Sequence, residues 1–217
     1  MFDHFSVMGV AIAFALVPFV LVLTTCFTRI SIVLTFLRQA LSTSIPSSQI
    51  IFALSLILTG YIMQPVILQI HDQAIAPYLS GQLHQEDPKK ELTEFLDRAW
   101  PPLRQFMLYH TREKDLQLFL EMSHISPDQE ISEVSSLPWY CVMPAFVLSE
   151  LRTAFIMGFL LFLPFLVIDM VVTSLLMSMG MILLPPVMIS FPFKILLFVA
   201  VDGWRLMMQQ MVQGYYL

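Results

Sequence analysis

The chain has 217 residues, of which 57% are hydrophobic and only 12% are charged, whereas soluble domains are about half apolar and about a quarter charged. This composition, with a mean hydropathy of +0.76, indicates a membrane protein and excludes a disordered chain or an ordinary soluble enzyme. The net charge of −5 provides no cationic excess, so we expect no nucleic-acid partner. The two cysteines, Cys26 and Cys141, are too few for a disulfide framework and are expected to be small buried side chains.

Two uncharged stretches predict the first membrane spans. Val7–Cys26 is long enough for a helix to cross a hydrocarbon core of about 30 Å. No basic residue precedes this stretch, so we expect a retained span and not a cleaved signal peptide. A second span is predicted from about Gln49, with Pro46 near its start and Pro65 near its end. Residues 1–70 are therefore predicted to form N-terminal membrane helices joined by a short basic loop.

The connection between these two spans contains Arg29 and Arg38 and no acidic residue. Short cytoplasmic loops carry the excess of Lys and Arg in membrane proteins. We therefore expect both arginines to be anchors on the cytoplasmic side of the membrane, with contact to a partner subunit as the second interpretation. This orientation places the N-terminus and the middle of the chain outside the cytoplasm.

The composition changes abruptly over residues 71–143, which predicts a water-facing, acidic, helical region in the periplasm. Residues 72–133 include twelve acidic and six basic side chains. Apolar residues at helical spacing predict short amphipathic helices, with a break at Pro101-Pro102 and an N-cap at Thr111. The polar segment Ser123–Ser136 predicts a loop that returns the chain to the membrane.

The C-terminal region, residues 144–217, is again apolar, and Phe155–Tyr216 is long enough for two further spans. Two further spans would return the C-terminus to the outer side of the membrane. The ionisable residues that interrupt this region are Glu150, Arg152, Asp169, Lys194, Asp202 and Arg205.

The same region contains an ordered series of motifs. They are Pro144–Phe155, Gly158-Phe159, Leu163-Pro164-Phe165, Ile168-Asp169, Leu176–Met181, Pro185-Pro186, Pro192-Phe193-Lys194 and Val201–Trp204. Further motifs upstream are Thr25-x-Phe27-Thr28-Arg29-Ile30, Leu37-Arg38-x-Ala40-Leu41, Ile62-Met63-x-Pro65, Phe106-Met107 and Thr111-Arg112-x-x-Asp115. Together these motifs closely resemble the FliP family of the flagellar type III export gate, whose injectisome counterpart is called SctR. The resemblance covers almost the whole chain.

The resemblance implies an all-α membrane protein of long kinked helices, with a small amphipathic helical extracytoplasmic domain, that assembles into a ring. It implies a pentamer in the bacterial inner membrane, with the assembled gate partly periplasmic. The implied partners are the Q/S and R/T export-gate proteins and the platform protein of the gate. Unfolded flagellar or effector proteins would pass through this gate, and some apparent spans would contact neighbouring subunits and not lipid.

The sequence departs from the family pattern in three respects. Flagellar members commonly begin with a cleavable signal peptide, and its expected absence here leaves a flagellum and an injectisome both open. Ile156 stands where the family often has a polar residue, and Met181-Ile182-Leu183 where it has a methionine run, so the packing of the gate is expected to differ in detail. Gln39 and Ser42 replace the usual Asn and Gly.

Met177, Met179 and Met181 surround Gly180 and are the candidate pore residues. A spacing of two spreads side chains around a regular helix, so a loop or a glycine-interrupted turn is needed for the three to converge. On sequence alone, packing or lipid contact is the more frequent role of methionine, whereas the resemblance favours a seal. Flexible thioethers suit a seal around chains of varied shape.

Ionisable residues within apolar segments tend to pair, because an unpaired charge there costs a few kcal/mol. Glu150 and Lys194 are the expected pair, either within one subunit or between neighbours. Asp169 and Asp202 are expected to be structural carboxylates bonded to backbone or to arginine. A proton relay is the alternative, and it is less favoured because it needs a chain of titratable groups.

The sequence contains no phosphate-binding loop, zinc motif or nucleophile elbow, so we expect no enzyme activity, cofactor or metal. The predicted function is that of the core pore-forming subunit of a type III protein export gate. The alternative is a self-sufficient ion or small-solute transporter, which would need a polar midplane site served by broken helices in related repeats, and the sequence shows no internal repeat. A third hypothesis, an intramembrane aspartyl protease, requires two aspartates close enough to share a proton.

Overall fold

A computed structural model describes residues 15, 18–80, 88–123, 137–181 and 183–216. Every regular element within these ranges is helical, which confirms the all-α prediction. Residues 7–14, 16 and 17 of the predicted first span lie outside the described residues. Residues 124–136 of the predicted return loop also lie outside them.

The described helices follow one another in the chain as α1 to α9. Their bounds are Pro18–Thr24 for α1, Phe27–Ala40 for α2, Ser48–Ile70 for α3, Ala76–Leu79 for α4, Pro88–His110 for α5, Glu113–Met122 for α6, Trp139–Ser178 for α7, Pro186–Ala200 for α8 and Gly203–Tyr216 for α9. A π-helical turn, His71–Ile75, joins α3 to α4 without a break.

Among the described residues, two continuous helical segments are long and apolar enough to cross a membrane, Ser48–Leu79 with 32 residues and α7 with 40. The number rises to four if the bent pairs α1–α2 and α8–α9 each count as one span. The second predicted span thus begins at Ser48, one residue before the predicted start. It extends well beyond Pro65, because the π-helical turn continues the helix to Leu79.

Arg29 and Arg38 lie on helix α2, and the prediction that they occupy a loop was wrong. The first predicted span ends where α1 breaks, at Thr25 and Cys26, and a new helix begins immediately. The cause is an apolar face with helical spacing, which is buried in the structure and stabilises α2. That face consists of Ile30, Val33, Leu34 and Leu37, each at most 2% exposed.

Helix α5 continues through Pro101 and Pro102, where a break was predicted. Proline removes a backbone donor from a helix, but tertiary packing can outweigh that loss. Here the second half of α5 packs on α7, with the ring centroids of Phe106 and Phe146 6.0 Å apart and Met107 fully buried. This buried face holds the helix together across the two prolines.

Helix α6 does not use Thr111 as its N-cap, contrary to the prediction. The Thr111 hydroxyl donates instead to the Met107 carbonyl at 2.6 Å, and Arg112 occupies the N-cap position. The Thr111 side chain is therefore hydrogen-bonded to the end of α5. The backbone N–H of Arg112, at the start of α6, bonds to a side chain of α7, as described below.

The described chain forms two compact units. One comprises the described residues through Thr28 together with those of Gly60–Glu150, and the other comprises Arg29–Thr59 and Leu151–Leu217. In the first unit, α5, α6 and the start of α7 share a core. In the second unit, α2 packs with the rest of α7 and with α8 and α9. The candidate functional residues of the C-terminal region lie here, except Glu150, which belongs to the first unit.

Candidate functional site

The α7 helix ends in a glycine turn around which the three candidate pore methionines are arranged. Gly180 has φ of +73°, a conformation that glycine adopts without steric cost. The Met181 N–H donates to the Leu176 carbonyl at 3.0 Å, and the Gly180 N–H donates to the Met177 carbonyl at 3.1 Å. This pair of bonds is the Schellman motif that closes helix C-termini. The predicted glycine-interrupted turn is therefore present.

The methionine turn, Met177–Met181, presents its apolar side chains outward. Met177 and Met179 are each 65% exposed, and Met181 is 40% exposed. Leu183, which follows in the same connection to α8, is 98% exposed. Large apolar side chains at these exposures in one chain need a neighbouring surface to cover them.

A polar cluster, in which Lys194 and Ser190 are buried, joins the two helices on either side of this turn. Lys194 on α8 is fully buried and donates from Nζ to Asp169 Oδ2 on α7 at 2.6 Å. The Ser190 hydroxyl donates to Asp169 Oδ1, also at 2.6 Å. Lys194 donates a further bond to Ser42 Oγ at 2.8 Å. We call Asp169, Lys194, Ser190 and Ser42 the lysine cluster.

The carboxylate partner of Lys194 in this chain is Asp169, whereas the sequence predicted Glu150. Both acidic residues lie on α7, and their nineteen-residue separation corresponds to a rise of about 28 Å along a regular helix. One lysine side chain does not reach both, so the version of the predicted pair within one subunit was wrong. The version between neighbouring subunits stays a prediction.

Asp169 accepts hydrogen bonds from a serine and a lysine, and not from backbone or arginine as the sequence predicted. Its expected structural role stays a prediction. Asp202 has a different setting. It is exposed, has φ of +52°, and lies in the turn where α8 and α9 meet at 62°. Its carbonyl accepts the Leu206 N–H at 3.1 Å, so its backbone closes the first turn of α9.

Ser42 and Ser190 are cluster residues that sequence reasoning missed. Ser190 precedes Lys194 by four residues on one helix face, a spacing that could have indicated a shared partner. Ser42 carried no such signal. It follows α2 with φ of +55°, a conformation that glycine adopts more easily, and its hydroxyl accepts a charged hydrogen bond. This contact gives a structural account of the departure from glycine at position 42.

Arg29 and Arg38 have separate environments on α2. Arg29 is only 4% exposed, with its guanidinium carbon 3.9 Å from the centroid of the Tyr215 ring and Nη1 3.4 Å from the Gly214 carbonyl. Arg38 donates to Ser48 Oγ at 2.8 Å, across the connection between α2 and α3. Arg29 thus binds the end of α9, and Arg38 bridges the start of α3.

A second polar chain that the sequence did not predict closes the start of α6. Ser149 on α7 accepts the Arg112 N–H at 3.1 Å and donates to Asp115 Oδ2 at 2.6 Å. Asp115 occupies the third helical position, where an acidic side chain commonly reaches back to the N-cap N–H. Here the serine hydroxyl relays that interaction from another helix. The motif Thr111-Arg112-x-x-Asp115 thereby acquires a physical role.

Comparisons with known proteins agree with the motifs. The model of the FliP family matches residues 10–211. Flagellar biosynthetic protein FliP of Bacillus subtilis (strain 168) is 47% identical over 203 residues, which cover 93% of this chain and 87% of the relative. The proteins of the same name from Aquifex aeolicus (strain VF5) and Pectobacterium carotovorum subsp. carotovorum are 45% and 44% identical, over 93% and 92% of this chain and 81% and 74% of the relatives. The chain belongs to the FliP family.

Proposed function

We propose that this protein is the core pore-forming subunit of the flagellar type III protein export gate, through which unfolded proteins cross the bacterial inner membrane. The observation that carries the proposal is the methionine turn, which presents three flexible apolar side chains from one glycine-capped helix end. The relatives reported above are flagellar proteins by name, which favours a flagellum over an injectisome.

The chemistry of the methionine turn suits a seal. Apolar constrictions block ions by excluding water. Unbranched thioethers adapt to surfaces of different shape, so they can close around varied polypeptides and close again after them. Several copies of the turn around one axis would supply the ring of side chains that such a constriction needs. No catalytic step is part of this proposal.

The length and exposure of α7 support assembly into a ring, and we propose a pentamer. Forty residues of α-helix extend about 60 Å, which is twice the hydrocarbon thickness of a bilayer. Only 17% of the most apolar window of α7 is buried within its own chain. The start of α7 is covered by α5 and α6 of the same chain. Covering the exposed remainder beyond the bilayer with neighbouring subunits is consistent with a gate that is partly periplasmic.

The proposed assembly includes the Q/S and R/T export-gate proteins and contacts the platform protein. We propose that Glu150 pairs with Lys194 of a neighbouring copy, because the ammonium group has three hydrogens and two are bonded to Asp169 and Ser42. Both residues are enclosed in the single chain, so this pairing requires the side chains that cover them to move on assembly. We propose further that Arg38 faces the cytoplasmic side.

A self-sufficient transporter is the second candidate, and the broken α8–α9 pair favours it. Transporters place substrate sites at such helix breaks, with polar groups around them. The cleft of about 470 Å³ beside this break is lined almost entirely by apolar side chains, with Gln210 as the polar exception. An apolar lining of this kind favours the packing of another helix in the cleft over the binding of a polar solute.

Ion conductance of the assembled gate in planar bilayers tests the seal. The variant in which Met177, Met179 and Met181 are all alanine should conduct ions when the unmodified gate is closed, because shortened side chains leave the constriction open. The matched control changes Met170 and Met188 to alanine, two residues that are 65% and 72% exposed but lie on helices. Unchanged conductance of the triple variant, or equal leakage from the control, would overturn the seal.

Native mass spectrometry of the chain co-expressed with its small membrane-protein partners tests the assembly. A complex with five copies of this 24.9 kDa chain and both partners is the expected result. A monomer that ignores the partners would instead support the transporter.

A further inference from the structure

The lysine cluster lies at the base of the helix hairpin that carries the methionine turn. Asp169 precedes the end of α7 at Ser178 by nine residues, a rise of about 14 Å. Lys194 follows the start of α8 at Pro186 by eight residues, a rise of about 12 Å. We call the parts of α7 and α8 between the lysine cluster and the methionine turn the hairpin arms, and the two arms are nearly equal in length. The side chains of Asp169 and Lys194 join the arms at their base.

We infer that Asp169 is a positioning residue of the gate, one that fixes where the methionine turn lies by locking α7 to α8. The inference rests on the proposed function of the turn. Each carboxylate oxygen of Asp169 accepts a separate donor from α8, at 2.6 Å in both cases. Two directional hydrogen bonds at one carboxylate restrict the sliding and rotation of α7 against α8. Apolar contacts between helices are less directional and restrict these motions less.

The third contact of the lysine cluster connects α8 to the residue segment that follows α2. Lys194 donates to Ser42, which follows α2 and belongs to the same compact unit. Helix α2 is anchored in turn by its buried apolar face. The turn is thus held through Asp169 and Lys194 to the most enclosed helix of this unit, while its own methionines remain exposed.

Loss of the Asp169 carboxylate has two separable consequences. It leaves the buried Lys194 charge without its anionic partner, which destabilises the fold. It also releases the hairpin arms. The Lys194 side chain is buried and the Asp169 side chain is one-third exposed. Replacing both by apolar residues removes the uncompensated buried charge without restoring the directional contact. The double variant with Asp169→Leu and Lys194→Met therefore tests positioning apart from the cost of a buried charge.

The test measures the distance between spin labels at Leu183, beside the turn, and at Gln39 on α2, in assembled protein with labelled chains diluted by unlabelled ones. Both sites are exposed, and the native cysteines are fully buried. We expect a narrow distance distribution in the parent chain and a broader, shifted one in Asp169→Ala. The double variant should recover the thermal stability of the chain in detergent, because no uncompensated charge is left, and should keep the broad distribution.

The matched control is Asp202→Asn, which removes a carboxylate of the same region outside the cluster and preserves a side chain that tolerates positive φ. Its label distances should equal those of the parent chain. Asp169→Asn retains an acceptor for Lys194 and should fall between the parent and the alanine variant. Parent-like distances in the double variant, or equal broadening in Asp202→Asn, would overturn the inference.

Conductance separates this inference from the proposed function. If the methionine variant and the Asp169 variants all stay closed to ions while label distances broaden, positioning stands and the seal fails. If the methionine variant leaks while the double variant keeps parent-like label distances and stays closed, the seal stands and the positioning role of Asp169 fails.

Discussion

Arg29 lies with its guanidinium carbon 3.9 Å from the centroid of the Tyr215 ring, although the two residues are separated by almost the whole length of the chain. Arg29 also donates to the neighbouring Gly214 carbonyl at 3.4 Å. The arginine was expected to be a loop residue at the membrane surface. It instead connects the first helix of its compact unit to the last one.

This contact predicts that the aromatic face at position 215 stabilises the docking of α9. Cation–π contacts are worth about 2 kcal/mol when they are shielded from water, and Tyr215 is only 6% exposed. Tyr215→Leu should therefore lower the free energy of unfolding by about 2 kcal/mol. Thermal unfolding in detergent measures the loss, and hydrogen exchange should be faster in α9.

Tyr215→Phe is the matched control, because it keeps the ring under the guanidinium and removes only the hydroxyl. A smaller loss than in Tyr215→Leu is expected. Equal losses in the two variants would show that the ring face contributes nothing and that the hydroxyl accounts for the stability.

The relay through Ser149 predicts a second effect, in the other compact unit. Ser149→Ala leaves the buried Asp115 carboxylate and the Arg112 N–H without their shared partner. Loss of a buried hydrogen-bond partner costs about 1–3 kcal/mol, and we expect Ser149→Ala to lower the free energy of unfolding by that amount. Denaturant titration measures it, and the start of α6 should lose exchange protection.

Ser80→Ala is the control for this variant, since its hydroxyl is exposed and bonds only within its own turn. Its expected effect is within about 0.5 kcal/mol. In a double-mutant cycle, Ser149→Ala and Asp115→Ala should show a coupling of about 0.5–3 kcal/mol. Additive losses would mean that the two side chains do not act as a unit.

The order of residue types along short segments was enough to predict features that depend only on neighbouring residues, such as helix starts and turns. The start of α3 was placed within one residue, and the glycine-interrupted turn followed from methionines spaced by two around Gly180. The pattern failed where distant side chains decide the outcome. The packing of α5 on Phe146 stabilises the helix across Pro101 and Pro102. Residues close to the two prolines in sequence give no indication of that contact.

The partner of Lys194 is the clearest case. Glu150 and Asp169 both lie in strongly matching motifs, so sequence alone offered no means of choosing between them. The choice depends on where α8 begins and on the direction in which it returns along α7. The length of the connection between these helices and the position of the glycine turn determine that geometry.

Ser42 predicts two opposing effects at one position. Ser42→Ala removes the acceptor for Lys194 and retains a side chain at φ of +55°. Hydrogen bonds to charged groups contribute about 1.5–3 kcal/mol. Because Ser42 is exposed, we expect a loss of stability no larger than the lower end of that range. Ser42→Gly removes the same bond but relieves about 1–2 kcal/mol of backbone strain. Glycine should therefore be less harmful than alanine, as measured by thermal unfolding, and the opposite order would contradict this account of the residue.

Gly158 on α7 predicts a steric limit on helix packing. A Cβ atom at this position would lie 2.6 Å from two ring carbons of Phe36, and 3.0 Å from its Cβ. Because the backbone-proximal part of Phe36 is involved, rotation of the ring does not relieve the contact. Forcing extra volume into a packed interface costs about 1–3 kcal/mol, and Gly158→Ala should lower the free energy of unfolding by that amount.

Gly60→Ala is the matched control, because both glycines lie within long apolar helices and nothing lies within 4 Å of a Cβ at Gly60. Alanine is favoured over glycine inside a helix by about 1 kcal/mol, so this variant should stabilise the single chain in detergent. Phe36→Ala combined with Gly158→Ala should recover part of the Gly158→Ala loss, since the shortened side chain leaves space for the new methyl group. If both glycine variants shift the unfolding midpoint in the same direction, the close approach of α2 to α7 at Gly158 is not the cause.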